Sequence, residues 1–185
     1  MDAAGITWER IARRSRVPLG FAFVAFYLWR ARPTLTSILL GLVFILPGLA
    51  LRALASGHLR KNEELAVSGP YAYTRNPLYL GSLILAAGFV FAGRSWIVAA
   101  IAFLILMGIY LPVIKGEEEF LRQKFPEFAE YALAVPRLWP RLRSASAQRV
   151  QFSSALYLKH HEYDAALGSA AILGALLAKA IWFAN

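Results

Sequence analysis

Long apolar runs constrain the fold of this chain more than any other feature. The clearest, residues 35–54, is long enough for a helix of about 30 Å, which is the hydrocarbon thickness of a bilayer. Hydrophobic residues make up 58% of the chain and its mean hydropathy is +0.50, above the composition of soluble domains. Because unsatisfied backbone groups are costly in lipid, such runs form helices. The sequence therefore predicts an all-α integral membrane helical bundle.

The apolar runs predict about five transmembrane helices in a single domain covering residues 1–185. They are residues 17–29, 35–54, 78–93, 95–114 and 164–184. Pro47-Gly48 is expected to kink the second helix or to open a gap that neighbouring helices fill, and Arg52 is expected to extend to the lipid headgroups. Small residues at helical spacing in the last helix predict a face for close packing. They are Gly168, Ala171, Ala175 and Ala178.

The net charge of +9 is distributed unevenly over the predicted loops. Sixteen of the twenty Lys and Arg residues fall on the side that includes the N-terminal tail. The four on the other side are Arg30, Arg32, Arg94 and Lys179. By the positive-inside rule the N-terminus is cytoplasmic, and the basic excess indicates cytoplasmic loops rather than a nucleic-acid partner. The chain contains no cysteine, which excludes disulfides, thiolate catalysis and cysteine-based metal sites.

Residues 67–81 form a polar, turn-rich stretch, V-S-G-P-Y-A-Y-T-R-N-P-L-Y-L-G, that leads directly into the third helix. Gly69-Pro70 predicts a turn, Asn76 an N-cap and Pro77 the first helical position. Arg75 would then lie beside the N–H groups of a helix N-terminus, an arrangement that attracts carboxylate or phosphate. The alternative is an ordinary loop with a belt of interfacial tyrosines.

The fourth helix leads into three consecutive carboxylates, Glu117 to Glu119. Because only Gly93-Arg94-Ser95 connects the third and fourth helices, they must form an antiparallel hairpin, which brings these acids near Arg75. Three carboxylates beside an anionic membrane surface are unfavourable unless cations pair with them. The alternative is a solvated helix start, whose dipole favours acids. The amphipathic segment that follows predicts a helix lying on the membrane, broken or bent at Pro126.

Three motifs in this order resemble the isoprenylcysteine carboxyl methyltransferase family, a membrane group related to the phospholipid N-methyltransferases. They are G-P-Y-A-Y-T-R-N-P-L-Y-L-G-S at residues 69–82, E-E-x-x-L at 117–121 and V-P-R-L-W-P at 135–140. The resemblance covers roughly residues 58–140 and implies a small all-helical membrane bundle. Arg75-Asn76-Pro77 departs from the R-H-P of the carboxyl methyltransferases, and its N-P-x-Y-x-G form is similar to the phospholipid branch.

The resemblance implies methyl transfer from S-adenosylmethionine bound on the cytoplasmic side, without a metal. It implies that Glu117 or Glu118 binds the ribose hydroxyls or the amino group, that Arg75 or backbone N–H groups bind the carboxylate, and that tyrosines contact adenine or the sulfonium. The expected cofactor-binding residues are Val67, Gly69, Tyr71, Tyr73, Arg75, Asn76, Pro77, Tyr79, Gly81, Glu117 and Glu118. The expected catalytic residues are Arg75, Arg137 and Glu118.

The methyl acceptor is expected to be a lipid-like molecule from the bilayer. A carboxylate is ionised at pH 7 and needs only to be held, for which Arg75 and Arg137 are suitable. A lipid amine must lose a proton, and a glutamate of the acidic cluster would have to be its base. Carboxyl O-methylation of an isoprenylcysteine-like substrate is therefore favoured over N-methylation of a phospholipid or another lipid amine.

Two further classes remain open. A sterol-type reductase has a related membrane architecture and uses NADPH, but a conspicuous basic cluster for its phosphate is missing from the motif, although Arg60, Lys61 and Arg75 are candidates. A non-catalytic membrane scaffold leaves the convergence of Arg75, Glu117 and Glu118 without a reason.

Overall fold

The computed structural model describes residues 20–145 and 150–184, and the regular elements in these ranges are all helical. The helices are α1 (residues 20–30), α2 (Leu35–Ser56), α3 (Pro77–Gly93), α4 (Trp96–Ile105), α5 (Leu111–Lys124), α6 (Phe128–Ala134), α7 (Ser154–Lys159) and α8 (Tyr163–Ala184). A π-helix, Leu106–Tyr110, joins α4 to α5, and a 3₁₀ turn, Gly69–Ala72, precedes α3. The predicted all-α fold is confirmed for this part of the chain.

Three of the described helices are long and apolar enough to cross a membrane. They are Leu35–Ser56, the continuous α4–α5 helix Trp96–Lys124, and Tyr163–Phe183, whereas Pro77–Gly93 is shorter. The predicted number of five spans is not confirmed, and residues 17–19 of the first predicted span lie outside the described ranges. The fourth predicted span, residues 95–114, corresponds to the first part of the α4–α5 helix. This helix continues through Pro112, which follows the π-helix, and ends just before Pro126, where a break or bend was predicted.

Helices α2 and α3 pack together through glycines. A Cβ atom added to Gly41 would lie 2.7 Å from the Gly88 carbonyl oxygen, and one added to Gly48 would lie 2.9 Å from the Gly81 carbonyl oxygen. The facing pairs run in opposite numerical order, so the helices are antiparallel. Small residues let helix backbones approach this closely in a membrane. Gly48 is thus buried against α3, whereas Pro47 lies on the exposed side of α2.

The predicted hairpin of α3 and α4 is present, and its connection is held by local geometry. Arg94 ends α3 in the left-handed conformation, with φ of 49°, and the Ser95 side chain accepts a hydrogen bond from the Val98 N–H. The adjoining core contains residues from α1, α2, α3, α4 and α8. Its buried members are Tyr27, Ala31, Ile38, Ala92, Val98, Leu176 and Ala180.

Helix α8 packs with a face other than the predicted one. Gly168 has no atom within 4 Å of an added Cβ, and Ala171, Ala175 and Ala178 are exposed. The small-residue face was therefore the wrong choice. The buried face contains Leu176, which is fully covered because it fills the core between α1 and α2.

We expect Gly48→Ala to destabilise the fold by about 1–3 kcal/mol, because the added methyl overlaps the α3 backbone and neither helix can move freely. Gly168→Ala is the matched control, since its methyl meets open space and alanine is a better helix former by about 1 kcal/mol. Thermal unfolding of both variants in detergent measures the difference. Equal melting temperatures for the two variants would contradict the close α2–α3 contact.

Candidate active site

The hairpin brings the start of α3 next to the helix that carries the acidic cluster. The ring centroids of Tyr79 and Tyr110 are 5.6 Å apart. Farther along, Asn76 Nδ2 donates a hydrogen bond of 3.1 Å to Glu118 Oε1. The expected proximity of residues 67–81, called here the central stretch, to the acidic cluster Glu117–Glu119 is therefore confirmed.

The V-P-R-L-W-P motif lies alongside the central stretch. The Arg75 N–H donates to the Pro136 carbonyl oxygen at 2.9 Å, and the Thr74 hydroxyl lies 3.2 Å from the Arg137 carbonyl oxygen. Both contacts involve backbone groups, so they depend little on which side chains occupy the motif. The three motifs that are far apart in sequence thus converge at one end of the bundle.

Glu118 is the centre of this convergence and is 6% exposed. Its Oε2 accepts hydrogen bonds from Arg137 Nε at 2.9 Å and Nη2 at 2.7 Å. Its Oε1 accepts from Asn76 and lies 3.3 Å from Arg75 Nε. A buried carboxylate needs such partners, because an unpaired charge in an apolar surrounding is strongly unfavourable. Glu118, rather than its two neighbours, is thus the acid that is paired with cations.

Asn76 occupies the N-cap position of α3, but its side chain does not cap the helix. The amide Nδ2 is directed away from the helix and donates to Glu118 and, at 3.0 Å, to the Arg137 carbonyl oxygen. The capping role predicted for this side chain is therefore wrong, because the buried carboxylate competes for the amide. Pro77 is the first residue of α3, as predicted.

Two arginines and one carboxylate leave this cluster with an excess positive charge. Arg75 Nε is close enough to Glu118 for an ion pair, but the angle does not make a hydrogen bond, and this buried nitrogen has no hydrogen-bond partner in the described part of the chain. Arg75 Nη1 donates to the Ala132 carbonyl oxygen at 3.1 Å. The hydrogen bond to Glu118 raises the pKa of Arg137, so this guanidinium stays charged. The cluster favours an anion nearby.

A cavity of about 380 Å³ adjoins the cluster, within the range of roughly 300–1,000 Å³ that is typical of small-molecule and cofactor sites. Seven of the residues predicted for the site line this cavity. They are Tyr71, Arg75, Asn76, Pro77, Tyr79, Glu117 and Glu118. Glu117 is exposed, in contrast to the buried Glu118. We call this space the first cavity.

The other predicted site residues do not line the first cavity. Gly81 faces α2, where its role is helix packing, and Gly69 has φ of 56° with the His58 ring where a Cβ would be. Tyr73, which is 40% exposed, lies outside the lining of the first cavity. The half-buried Val67 also lies outside it. Arg137 is likewise absent from the lining, although it donates to Glu118, which is part of the lining.

Sequence reasoning missed Arg52, Ser82 and Glu162, which also line the first cavity. Arg52 Nε donates to Glu162 Oε2 at 3.1 Å and Nη2 to Oε1 at 2.9 Å, while Nη1 donates to the Ser82 hydroxyl. Arg52 therefore does not extend to the headgroups, because Glu162, the residue before α8, is available as a partner and its side chain is only 11% exposed. A pairing over 110 residues leaves no periodic signal in the sequence. The unusual arginine inside an apolar run was the only hint.

The site can now be compared with known proteins. Residues 53–127 match the phospholipid methyltransferase family. This family lies in the same membrane methyltransferase superfamily as the isoprenylcysteine carboxyl methyltransferases, so the resemblance drawn from the three motifs is confirmed at that level. The matched residues 53–127, called here the methyltransferase segment after the family that they match, include Arg75, Asn76, Glu117 and Glu118. It ends before the V-P-R-L-W-P motif and α8.

Two bacterial relatives carry names that refer to metal resistance. The cobalt-zinc-cadmium resistance protein CzcN of Cupriavidus metallidurans is 42% identical over 98 residues, covering 51% of this chain and 45% of the relative. The nickel-cobalt-cadmium resistance protein NccN of Alcaligenes xylosoxydans xylosoxydans is 38% identical over 98 residues, 51% of this chain and 46% of the relative. The chain thus spans about half the length of these relatives. No solved structure matches the chain.

We expect Glu118→Gln to lower the free energy of unfolding by about 2–3 kcal/mol, because it leaves two arginines without their carboxylate. The cost is below that of a fully buried pair, since the Arg137 side chain is 43% exposed. Glu119→Gln is the matched control, because Glu119 is exposed and contacts only Gln123 among the hydrogen bonds of the described chain. Denaturant unfolding would contradict this account if both variants lost equal stability.

Burial raises the pKa of the Tyr71 hydroxyl, with smaller contributions from Tyr131, Glu117 and Glu162. Below about pH 10 the hydroxyl is protonated in both the folded and the unfolded chain; above it, only the folded chain keeps the proton. Stability should therefore fall as the pH rises above about 10, and Tyr71→Phe should reduce this slope. Unfolding measured between about pH 9 and about pH 11 tests this. An unchanged slope in Tyr71→Phe would refute it.

Proposed function

We propose that this protein is a membrane methyltransferase that transfers a methyl group from S-adenosylmethionine to a lipid-like acceptor. The observation that carries the proposal is the first cavity, with the Glu118 cluster in its wall and residues of the methyltransferase segment around it. We further propose that the N-terminus and the first cavity face the cytoplasm. The distribution of Lys and Arg supports this orientation.

The residues of the first cavity fit this cofactor chemically. The buried Nε of Arg75 has no hydrogen-bond partner in the described chain, and the cluster around it has one more positive than negative charge. Both features suit binding of the cofactor carboxylate. The exposed Glu117 suits the ribose hydroxyls or the ammonium group. Aromatic faces attract a sulfonium cation and stack on adenine. The aromatic residues in the lining are Tyr71, Tyr79, Tyr110, Phe120, Phe128 and Tyr131.

Methyl transfer requires the protein mainly to align the two reactants and to exclude water from the site. When bound, the cofactor supplies an electrophilic methyl group: its C–S bond breaks with the electron pair remaining on sulfur, as a bond to the acceptor forms. Arg75 and Glu117 would hold the two polar ends of the cofactor, which fixes the direction of the methyl group. The aromatic lining would exclude water from the line of attack.

Carboxyl O-methylation of an isoprenylcysteine-like or other lipid carboxylate is the proposed reaction, because a carboxylate is ionised at neutral pH and needs no base. N-methylation of a phospholipid amine is the second candidate. It is favoured by the match to the phospholipid methyltransferase family. Glu117, which lines the first cavity and is exposed, is then the candidate base.

The names of the two relatives bring metal resistance into consideration. In the described residues, no group of three or more His, Cys, Asp or Glu side chains is placed to hold a metal ion. We propose that any contribution of this protein to metal resistance proceeds through methylation of a membrane component. This makes the methyl acceptor, and not a metal ion, the ligand to identify.

We expect S-adenosylmethionine and S-adenosylhomocysteine to bind the purified protein at micromolar concentrations, and Glu117→Gln to weaken both by about tenfold, or about 1.4 kcal/mol. Glu119→Gln is the matched control, because Glu119 lies two residues farther along α5 and does not line the first cavity. Calorimetry in detergent measures all three proteins. Binding of NADPH alone would indicate a reductase instead, and binding of none of these compounds would favour a scaffold.

A further inference from the structure

A second cavity of about 360 Å³ shares part of its lining with the first. Its wall is mostly apolar and comes from α1, α3, α4 and α8, together with Arg52 of α2 and Tyr110 of the π-helix. Representative lining residues are Phe23, Leu85, Phe89, Val98, Ala102 and Ile172. Three of the contributing helices, α2, α4 and α8, belong to candidate membrane spans, so this space adjoins the part of the protein that is apolar enough to lie in a membrane.

The two cavities meet at three shared residues. Arg52, Ser82 and Tyr110 line both of them. Of these, only Arg52 carries a charge, and its guanidinium is held by both carboxylate oxygens of Glu162 and by the Ser82 hydroxyl. The passage from the first cavity into the second is therefore polar at one point and apolar beyond it.

We propose that the second cavity holds the apolar chain of the methyl acceptor, and that Arg52 receives the anionic group at the acceptor's polar end where the two cavities meet. This assigns the acceptor to a chemical class: a molecule with an apolar chain and an anionic group. The assignment rests on the proposed function for the role of the first cavity.

Arg52 is better suited to this task than the two arginines expected from the sequence. Arg75 is assigned to the cofactor carboxylate under the proposed function and does not line the second cavity, and Arg137 lines neither cavity. A guanidinium has five N–H donors, and the contacts with Glu162 and Ser82 use three of them within the described chain. Two donors remain for an anion. The bidentate contact with Glu162 fixes their direction.

The wall of the second cavity extends beyond the methyltransferase segment. Ala165 and Ile172 of α8 line it, and Glu162, which lines the first cavity, directly precedes α8; all three lie outside residues 53–127. The wall of the second cavity is thus shared between α3 and α4 of the methyltransferase segment and the helices α1 and α8 outside it. Acceptor choice then depends in part on residues outside that segment, including Glu162, which positions Arg52.

The anion has two possible sources with the same chemistry. A carboxylate at Arg52 would itself be the methylated group. A phosphate ester at Arg52 would instead leave an amine farther into the first cavity as the nucleophile. Palmitate and lysophosphatidate are probes that separate these cases, and methyl palmitate is the uncharged reference.

The test is binding of radiolabelled palmitate, lysophosphatidate and methyl palmitate to the full chain in nanodiscs of zwitterionic lipid. Arg52→Gln should weaken binding of the anions about tenfold or more and leave methyl palmitate unchanged. Glu162→Gln keeps the guanidinium and loses only part of its positioning, so it should weaken anion binding less than Arg52→Gln does. Ala102→Phe, which fills the second cavity, should weaken all three probes, whereas Ala100→Phe on the exposed side of α4 should not.

Each outcome decides the proposal. If Arg52→Gln and Glu162→Gln weaken the anions equally, the pair is only structural and the proposal is overturned. The same holds if Ala102→Phe has no effect while thermal unfolding shows a folded protein. Selective binding of lysophosphatidate supports Arg52 with phosphate as the anion. Binding of S-adenosylmethionine, measured separately, tests the proposed function, so the two can fail independently.

Discussion

The buried carboxylate of Glu118 is the interaction on which the arrangement of the site depends. It contacts Asn76 and Arg75 at the start of α3 and Arg137 in the segment after α6. Glu118, Asn76 and Arg75 are costly to bury without partners, and the half-exposed Arg137 supplies the second cation, so the cluster is stabilised when all three chain segments meet. The same requirement leaves one surplus positive charge beside the first cavity. A structural constraint and a preference for an anionic ligand therefore arise from one set of contacts.

The helices around this cluster are positioned by close packing more than by polar contacts. Glycines in α2 and α3 bring the two backbones together, and the hairpin then returns the chain to the start of α3. Arg52 and Ser82 face each other because α2 and α3 are this close. Their contact places a charge at the meeting point of the two cavities. Helix packing thus determines where a guanidinium can interact with a ligand.

Several features of the site were predictable because they depend on local sequence. Pro77 at the helix start, the hairpin at Gly93-Arg94-Ser95 and the proximity of Arg75 to the acidic cluster all follow from short-range geometry. Other features were not predictable. The Asn76 side chain binds a carboxylate 42 residues away instead of capping its own helix, and Arg52 pairs with Glu162 instead of extending to the surface. In each case a carboxylate partner distant in the sequence competed successfully with the local alternative.

The sequence by itself determined that the chain is helical and apolar enough for a membrane, and that residues 53–127 are similar to a methyltransferase family. Apolar periodicity, turn residues and motif order are local properties, and a single chain displays them directly. Only the tertiary structure decided which of the three consecutive glutamates is buried, which arginines it occupies, and which face of α8 is covered. These depend on which residues meet across the bundle, because burial and charge pairing are properties of the packed helices together.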